Sequence, residues 1–105
     1  MKRLTLLLAV VLTARLGVVN FDGHRETYYN LDMSNICARA EEKEIPGTYW
    51  EREDGCKMWG NYIIVATDWK LRPYGTIVQT SLGEGVVLDT GEFKNRNTVD
   101  IATTW

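Results

Sequence analysis

The stretch VVLDTGEFKNRNTVDI, residues 86–101, decides how this chain is read. It holds two aliphatic runs, and each carries an aspartate: Asp89 directly after Val86–Leu88, and Asp100 between Val99 and Ile101. The segment between them, TGEFKNRN, is polar and turn-rich. Short β-branched runs separated by such a segment read as two strands and a connection. Aspartate is depleted in strands, so these carboxylates either end their strands in solvent or are needed where they stand.

The same pattern extends upstream. NYIIVATD (61–68) is a continuous apolar run, expected to be a strand buried on both faces, and it too ends on an aspartate, Asp68. Pro73 and Gly75 in WKLRPYGT force a turn. TIVQTS (76–81) is a strand, LGEG (82–85) turns it, GVVLDT (85–90) is the next strand and NTVDIATTW (97–105) the last. RETYYNL (25–31) reads as an early strand, rich in Thr and Tyr. DMSNICARAEEKE (32–44) reads as a helix with Asp32 or Ser34 at its start. Its residues Met33, Ile36, Cys37 and Ala40 form an apolar face, and Arg39, Glu41, Glu42 and Lys43 a solvated one. TYWEREDGCKMWG (48–60) is a hairpin or irregular loop turning at Asp54-Gly55. The fold class is therefore mainly β, a small β-barrel of about six strands with one short helix near residues 33–43.

Composition narrows the functions. The 105 residues suggest one domain, 45% hydrophobic and 25% charged, with a formal net charge of −2. No basic stripe invites nucleic acid. Four Trp and five Tyr are many for this length, and their flat rings suit either a core or the stacking of ring-shaped ligands. At the N-terminus, Lys2 and Arg3 precede an apolar stretch, Leu4 to Ala14, too short for a stable membrane span. Residues 1–19 are expected to be a signal peptide or an apolar N-terminal segment, and 20–105 the single domain; export to the envelope or beyond follows from the signal reading. Cys37 and Cys56 have no zinc spacing; they either pair in an oxidising compartment or pack as thiols. No metal and no cofactor is expected. His24, the only histidine, lies in FDGHRE and reads as a surface residue in a flexible stretch.

No nucleophile elbow, phosphate loop or dinucleotide fingerprint occurs. An enzyme built on this sequence works with carboxylates. Asp68, Asp89 and Asp100 each follow a strand run, and if they converge, repulsion keeps a proton on at least one of them, as a general acid requires. Alternatively, each accepts N–H bonds from its own turn. Asp89-Thr90-Gly91 is also the tripeptide of aspartic proteases, but Glu92 follows it and only 14 residues remain, too few for that fold.

Taken in order, VATD, PYGT, GVVLDTG and VDI resemble the 3D domain, a family named for its three aspartates. The resemblance covers roughly residues 60–103, with RETYYN similar to the usual first strand, and the aspartates stand 21 and 11 residues apart, close to the family's spacing. It implies a double-psi β-barrel related to the catalytic core of lytic transglycosylase A and to small muralytic proteins of spore-forming bacteria. These cleave peptidoglycan glycan strands without water and leave a 1,6-anhydro ring on N-acetylmuramic acid. By resemblance, Asp100 is the acid and base, Asp89 tunes it, and Asp68 completes the cluster. Thr90 and Gly91 of the same motif are candidate substrate-binding residues, and Trp59 and Tyr74 candidate sugar-stacking residues, with Trp50 and Trp69 further aromatics and DGCKMWG a candidate groove wall. Arg72 and Arg96 could meet stem-peptide carboxylates. The loop EFKNRN lacks the family's usual glycine, so Asn95 or Asn97 is expected to take the left-handed conformation. Expansin-like double-psi barrels bind glycan without cutting it, so a binding barrel, or a structural envelope or phage module, is the alternative.

Overall fold

The apolar run IIVAT becomes the centre of the molecule. A computed structural model describes residues 18–105 of the chain; the expected N-terminal leader lies almost wholly outside the described residues. The strands and helix follow in the order β1 (Val19–Phe21), β2 (His24–Tyr29), α1 (Ser34–Glu42), β3 (Tyr49–Glu51), β4 (Lys57–Trp59), β5 (Tyr62–Thr67), β6 (Ile77–Thr80), β7 (Gly83–Thr90) and β8 (Thr98–Ala102).

β5 is the hub because every one of its positions after Tyr62 can be buried. β7 pairs parallel along one edge, from Ile63↔Gly85 to Thr67↔Thr90. The other edge is shared: β4 pairs antiparallel at Tyr62 and Ile63, and β8 antiparallel at Val65 and Ala66. A bridge between Cys56 and Thr103 joins β4's approach to β8's exit. β2 adds parallel to β8, β1 antiparallel to β2, β6 antiparallel to β7 and β3 antiparallel to β4.

The class is mainly β, but the ladder is not closed into a barrel. Among the described residues β1, β3 and β6 each have a single partner strand, so three edges remain open. Eight strands form instead of about six, because the short β1 and the two arms of the hairpin around Asp54-Gly55 also pair.

Side chains of β5 alternate between two cores. Ile64 joins Val86, Leu88, Ala102 and Trp59 beneath α1, whose Ile36 and Ala40, with Met33 just before the helix, cover that side. Ile63 and Val65 join Val87, Val99, Ile101, Met58 and Cys56 on the other. Each fully buried Ile or Val contributes about 1.5–3 kcal/mol relative to exposure, so this one strand anchors both layers. The close approach of β5 and β7 depends on Gly85: a Cβ there would lie 2.9 Å from Val65 Cγ1 and 3.2 Å from the Ile63 carbonyl oxygen. The helix keeps the expected apolar and solvated faces, and the Asp32 carboxylate accepts the Ser34 N–H at 2.8 Å at its start.

Two segments differ from expectation. FDGHRE is not a flexible stretch. Asp22 and Gly23, both with positive φ (48° and 79°), make a two-residue hairpin turn between β1 and β2. His24 is therefore buried, and its Nε2–H donates to Glu26 at 2.8 Å. Glu26, wholly buried, also accepts from the Ser81 hydroxyl (2.6 Å) and N–H (3.0 Å), pinning β2 to the β6–β7 turn. Nor is DGCKMWG a groove wall: Cys56, Lys57, Met58 and Trp59 are all buried. The Lys57 ammonium is satisfied inside the fold by Asn30 Oδ1 at 2.6 Å and the Leu31 carbonyl at 2.5 Å. Cys37 and Cys56 are free thiols packed in different cores, which matches the second of the two readings open from sequence.

Candidate functional site: a carboxylate pair across the central strand

The site arises from an irregularity in the β5–β7 ladder. Up to Val65 the strands pair residue for residue, Val65 opposite Val87; the register then slips and Ala66 faces Asp89 rather than Leu88. A bulge of this kind re-aims side chains, and such features are over-represented next to active sites. Here it brings Asp89 level with Ala66 while Leu88 stays in the core beneath α1.

On the other edge of β5, Ala66 also faces Asp100 of β8, and Asp100 in turn faces Thr27 of β2. Thr27, Asp100, Ala66 and Asp89 thus form one row across four strands. Register partners on neighbouring strands point to the same face. With adjacent strands about 4.8 Å apart, the two aspartate backbones are separated by roughly 10 Å, with only the Ala66 methyl group between them.

Each carboxylate has its own partners. The Thr27 hydroxyl donates to Asp100 Oδ1 at 2.8 Å. The Tyr29 phenol donates to Asp89 Oδ2 at 2.9 Å, and the Thr90 N–H to Asp89 Oδ1 at 2.8 Å. Asp89 is also held through its backbone, where its carbonyl accepts the Trp69 indole N–H at 2.9 Å. Burial pushes the Asp100 carboxyl above its ordinary range; the Thr27 hydroxyl partly offsets this, and the nearby Asp89 charge adds to it. Burial together with the Asp89 and Asp100 charges holds the Tyr29 phenol far above its usual range, so it remains an O–H donor.

Asp68 does not share this arrangement. Its carboxylate accepts Arg96 Nε at 2.6 Å and the Lys70 N–H at 2.9 Å, and the Arg96 hydrogen bond, with that N–H, holds it below the usual carboxylate range. It fixes the start of the turn that leads to PYGT. That turn is clamped to β7: the Gly75 N–H donates to the Val87 carbonyl at 2.7 Å and the Val87 N–H to Thr76 at 2.9 Å. The Thr90 hydroxyl donates to the Thr67 carbonyl at 2.8 Å, tying the Asp-Thr-Gly corner to the end of β5, with Gly91 exposed beyond it.

The aromatic and basic candidates sort differently from expectation. Trp59 is 2% exposed and donates its indole N–H to the Ile45 carbonyl, so it is a core residue and presents no face to a sugar. Tyr74 is half-buried and meets Trp69 edge-on, centroids 5.6 Å apart, which places this pair next to Asp89. Trp50 is exposed on the edge strand β3. Arg96 is engaged with Asp68, and Arg72 donates to Asn97 Oδ1 at 2.6 Å. Neither Asn95 nor Asn97 has a positive φ. Instead Asn95 Oδ1 accepts the Asn97 N–H at 3.0 Å, and the Asn97 amide donates to the Gly23 carbonyl at 2.7 Å, so side-chain bonds shape the loop without a glycine.

Thr27 and Tyr29 were not singled out from sequence as site residues. The resemblance of RETYYN to a first strand was the only signal near them, and it carried no role. Among the described residues no group of His, Cys, Asp and Glu is placed to hold a metal ion, and no helix is long and apolar enough to cross a membrane. No protein-family model, curated protein or solved structure matches the chain.

Proposed function

We propose that the protein is a peptidoglycan lytic transglycosylase that cleaves the bond between N-acetylmuramic acid and N-acetylglucosamine without water, with Asp100 as the acid and base. The observation that carries this reading is the asymmetry of the pair: two carboxylates flank one alanine, and the less hydrogen-bonded of them, Asp100, is half-buried with a raised tendency to hold its proton.

The chemistry needs little more. The Asp100 proton passes to the glycosidic oxygen as the C1–O bond breaks. The sugar's own C6 hydroxyl then attacks C1, and its proton returns to the Asp100 carboxylate, regenerating the acid. The nucleophile is internal, so no second carboxylate has to activate water or form a covalent bond, unlike the two-carboxylate glycosidases. Asp89 keeps a negative charge near the developing positive charge at C1 and discourages ionisation of Asp100. Asp68 shapes the adjoining corner through Arg96. Thr90, Gly91 and Tyr74 lie at or beside the Asp89 corner, where a glycan strand would pass. The ordered motif set of the 3D domain supports the same reading. The substrate, a wall polymer, requires action in the envelope or outside the cell, which agrees with the basic and apolar N-terminal sequence.

Release of soluble muropeptides from purified peptidoglycan by the protein, and its loss in Asp100→Asn, is the direct test. Retention of the protein on peptidoglycan with no release would leave a glycan-binding domain.

A further inference from the structure

We propose that Tyr29 is a positioning residue that holds the Asp89 carboxylate in place and leaves Asp100 as the acid of the pair. This rests on the transglycosylase reading for its catalytic meaning, though not for its geometry.

The Asp89 charge favours the proton on Asp100, and the donors to the two carboxylates differ. Asp89 has a donor on each oxygen, the Tyr29 phenol on Oδ2 and the Thr90 N–H on Oδ1, at 2.9 and 2.8 Å. Asp100 has one, the Thr27 hydroxyl on Oδ1 at 2.8 Å; among the described residues no protein group donates to its Oδ2. Donors to both oxygens favour the charged form, so Oδ2 of Asp100 is the free position for a transferable proton.

Tyr29 reaches Asp89 from β2, a strand that pairs with β8 and not with β7. In register it faces Ala102, and it packs against the core that contains Ala102. From there the long phenol side chain reaches across to the Asp89 carboxylate on β7. A hydroxyl on a shorter side chain at this position would not arrive.

The groups facing Asp89 are few. Tyr29 comes from β2 and Asp100 from β8, and the β5–β6 connection presents the Trp69 indole. Asp68 and Arg96, on the two neighbouring connections, hold each other. Glu92 is exposed beyond Gly91. Tyr29 is thus the one side chain among these that donates to the Asp89 carboxylate.

The test is a carboxyl-carbon NMR titration of the full chain, wild type and Tyr29→Phe, read beside muropeptide release. Phenylalanine keeps the ring and removes only the donor. In the wild type Asp100 titrates above the ordinary carboxylate range; in Tyr29→Phe, with the Asp89 carboxylate no longer held, the Asp100 midpoint shifts, and release slows about tenfold. An Asp100 curve unchanged by the substitution overturns the proposal. The wild type alone gives a second reading that does not depend on the variant folding. Just above the ordinary carboxylate range Asp100 still shows the acid form; an Asp100 already ionised there overturns the assignment. A shifted Asp100 titration in a protein that releases nothing would refute the lytic activity and leave the role of Tyr29 standing.

Discussion

Asp89 and Asp100 approach the same residue, Ala66, from opposite edges of β5, one on a parallel strand and one on an antiparallel strand. The β5–β8 ladder that places Asp100 is regular, but a regular β5–β7 ladder would not place Asp89 so. Without the slip after Val65, Leu88 would face Ala66 and Asp89 would lie one position further on. The pair is thus a product of the bulge as much as of the aspartates themselves.

Ala66 is 3% exposed and is the only residue between the two carboxylates in the row. Ala66→Val adds two methyl groups there and is expected to spread the pair. Displacements of about 1 Å near reacting groups can cost about a hundredfold in rate, while overpacking costs about 1–3 kcal/mol of stability. Muropeptide release is expected to fall by that order with the fold retained in the circular dichroism spectrum. Undiminished release would show that the space over Ala66 is not used.

Asp100 links activity to pH in one direction. Its carboxyl is raised above the ordinary value of 3.8 by burial first, against the pull of Thr27, with the Asp89 charge adding to it. Activity that needs the protonated acid is therefore lost as pH rises through the folded-state value. The stability consequence has the same sign. A raised carboxyl costs folding free energy once both folded and unfolded forms are ionised, and costs nothing when both are protonated. Asp100→Asn removes that cost, so it is expected to raise the thermal midpoint at neutral pH, with the gain vanishing below the ordinary carboxylate range. A variant less stable than wild type at neutral pH would instead mark Asp100 as a residue that only ties β8 to β2.

Asp68 separates a pair from a triad. Its carboxylate is occupied by Arg96 and by the Lys70 N–H. Asp68→Asn keeps an acceptor for the Lys70 N–H and loses the ion pair, which at an exposed site is a small effect. Release is expected to drop only severalfold, against a hundredfold or more, on the order of a lost general acid, for Asp100→Asn. Equal losses in the two variants would place Asp68 in the chemistry.

Gly85 tests the joint between the two central strands. A methyl group there meets Val65 Cγ1 at 2.9 Å and the Ile63 carbonyl oxygen at 3.2 Å. Neither neighbour can move without disturbing β5. Gly85→Ala is expected to destabilise the protein by about 1–3 kcal/mol, read as a lower midpoint in urea with an unchanged slope. An unaltered midpoint would mean that the β5–β7 spacing is looser than described.

The elements with a clear period were legible in the sequence, and the pairings between them were not. NYIIVATD announced a strand buried on both faces because no position in its centre is polar, and β5 is that strand. The helix was legible from the spacing of Met33, Ile36 and Ala40, all buried. His24 was misplaced because the short β1, with one Asn between Val19 and Phe21, does not resemble a strand by itself; the Asp22-Gly23 turn was the available signal. Trp59 was assigned to a groove because an aromatic residue gives no hint of which side it faces. Its burial follows from β4 pairing against the hub strand, a long-range fact.

The site was legible in part. Asp89 and Asp100 could be singled out as carboxylates at the end of one apolar run and inside another, and they do flank one residue. Tyr29 and Thr27 could not be found the same way. They enter through the parallel pairing of β2 with β8, elements separated by most of the domain, and register over such distances leaves no local pattern. The bulge is equally silent, since VVLD reads as a uniform run whether or not Leu88 is paired.

The most direct measurement is the mass of the sugar at the end of the fragments released from purified peptidoglycan, with Asp100→Asn alongside. Fragments ending in 1,6-anhydro-N-acetylmuramic acid, lighter by one water than the hydrolytic product and absent with the variant, are the expected result. Fragments with ordinary reducing ends would show that water is the nucleophile and would contradict the internal attack on which the role of Asp100 depends.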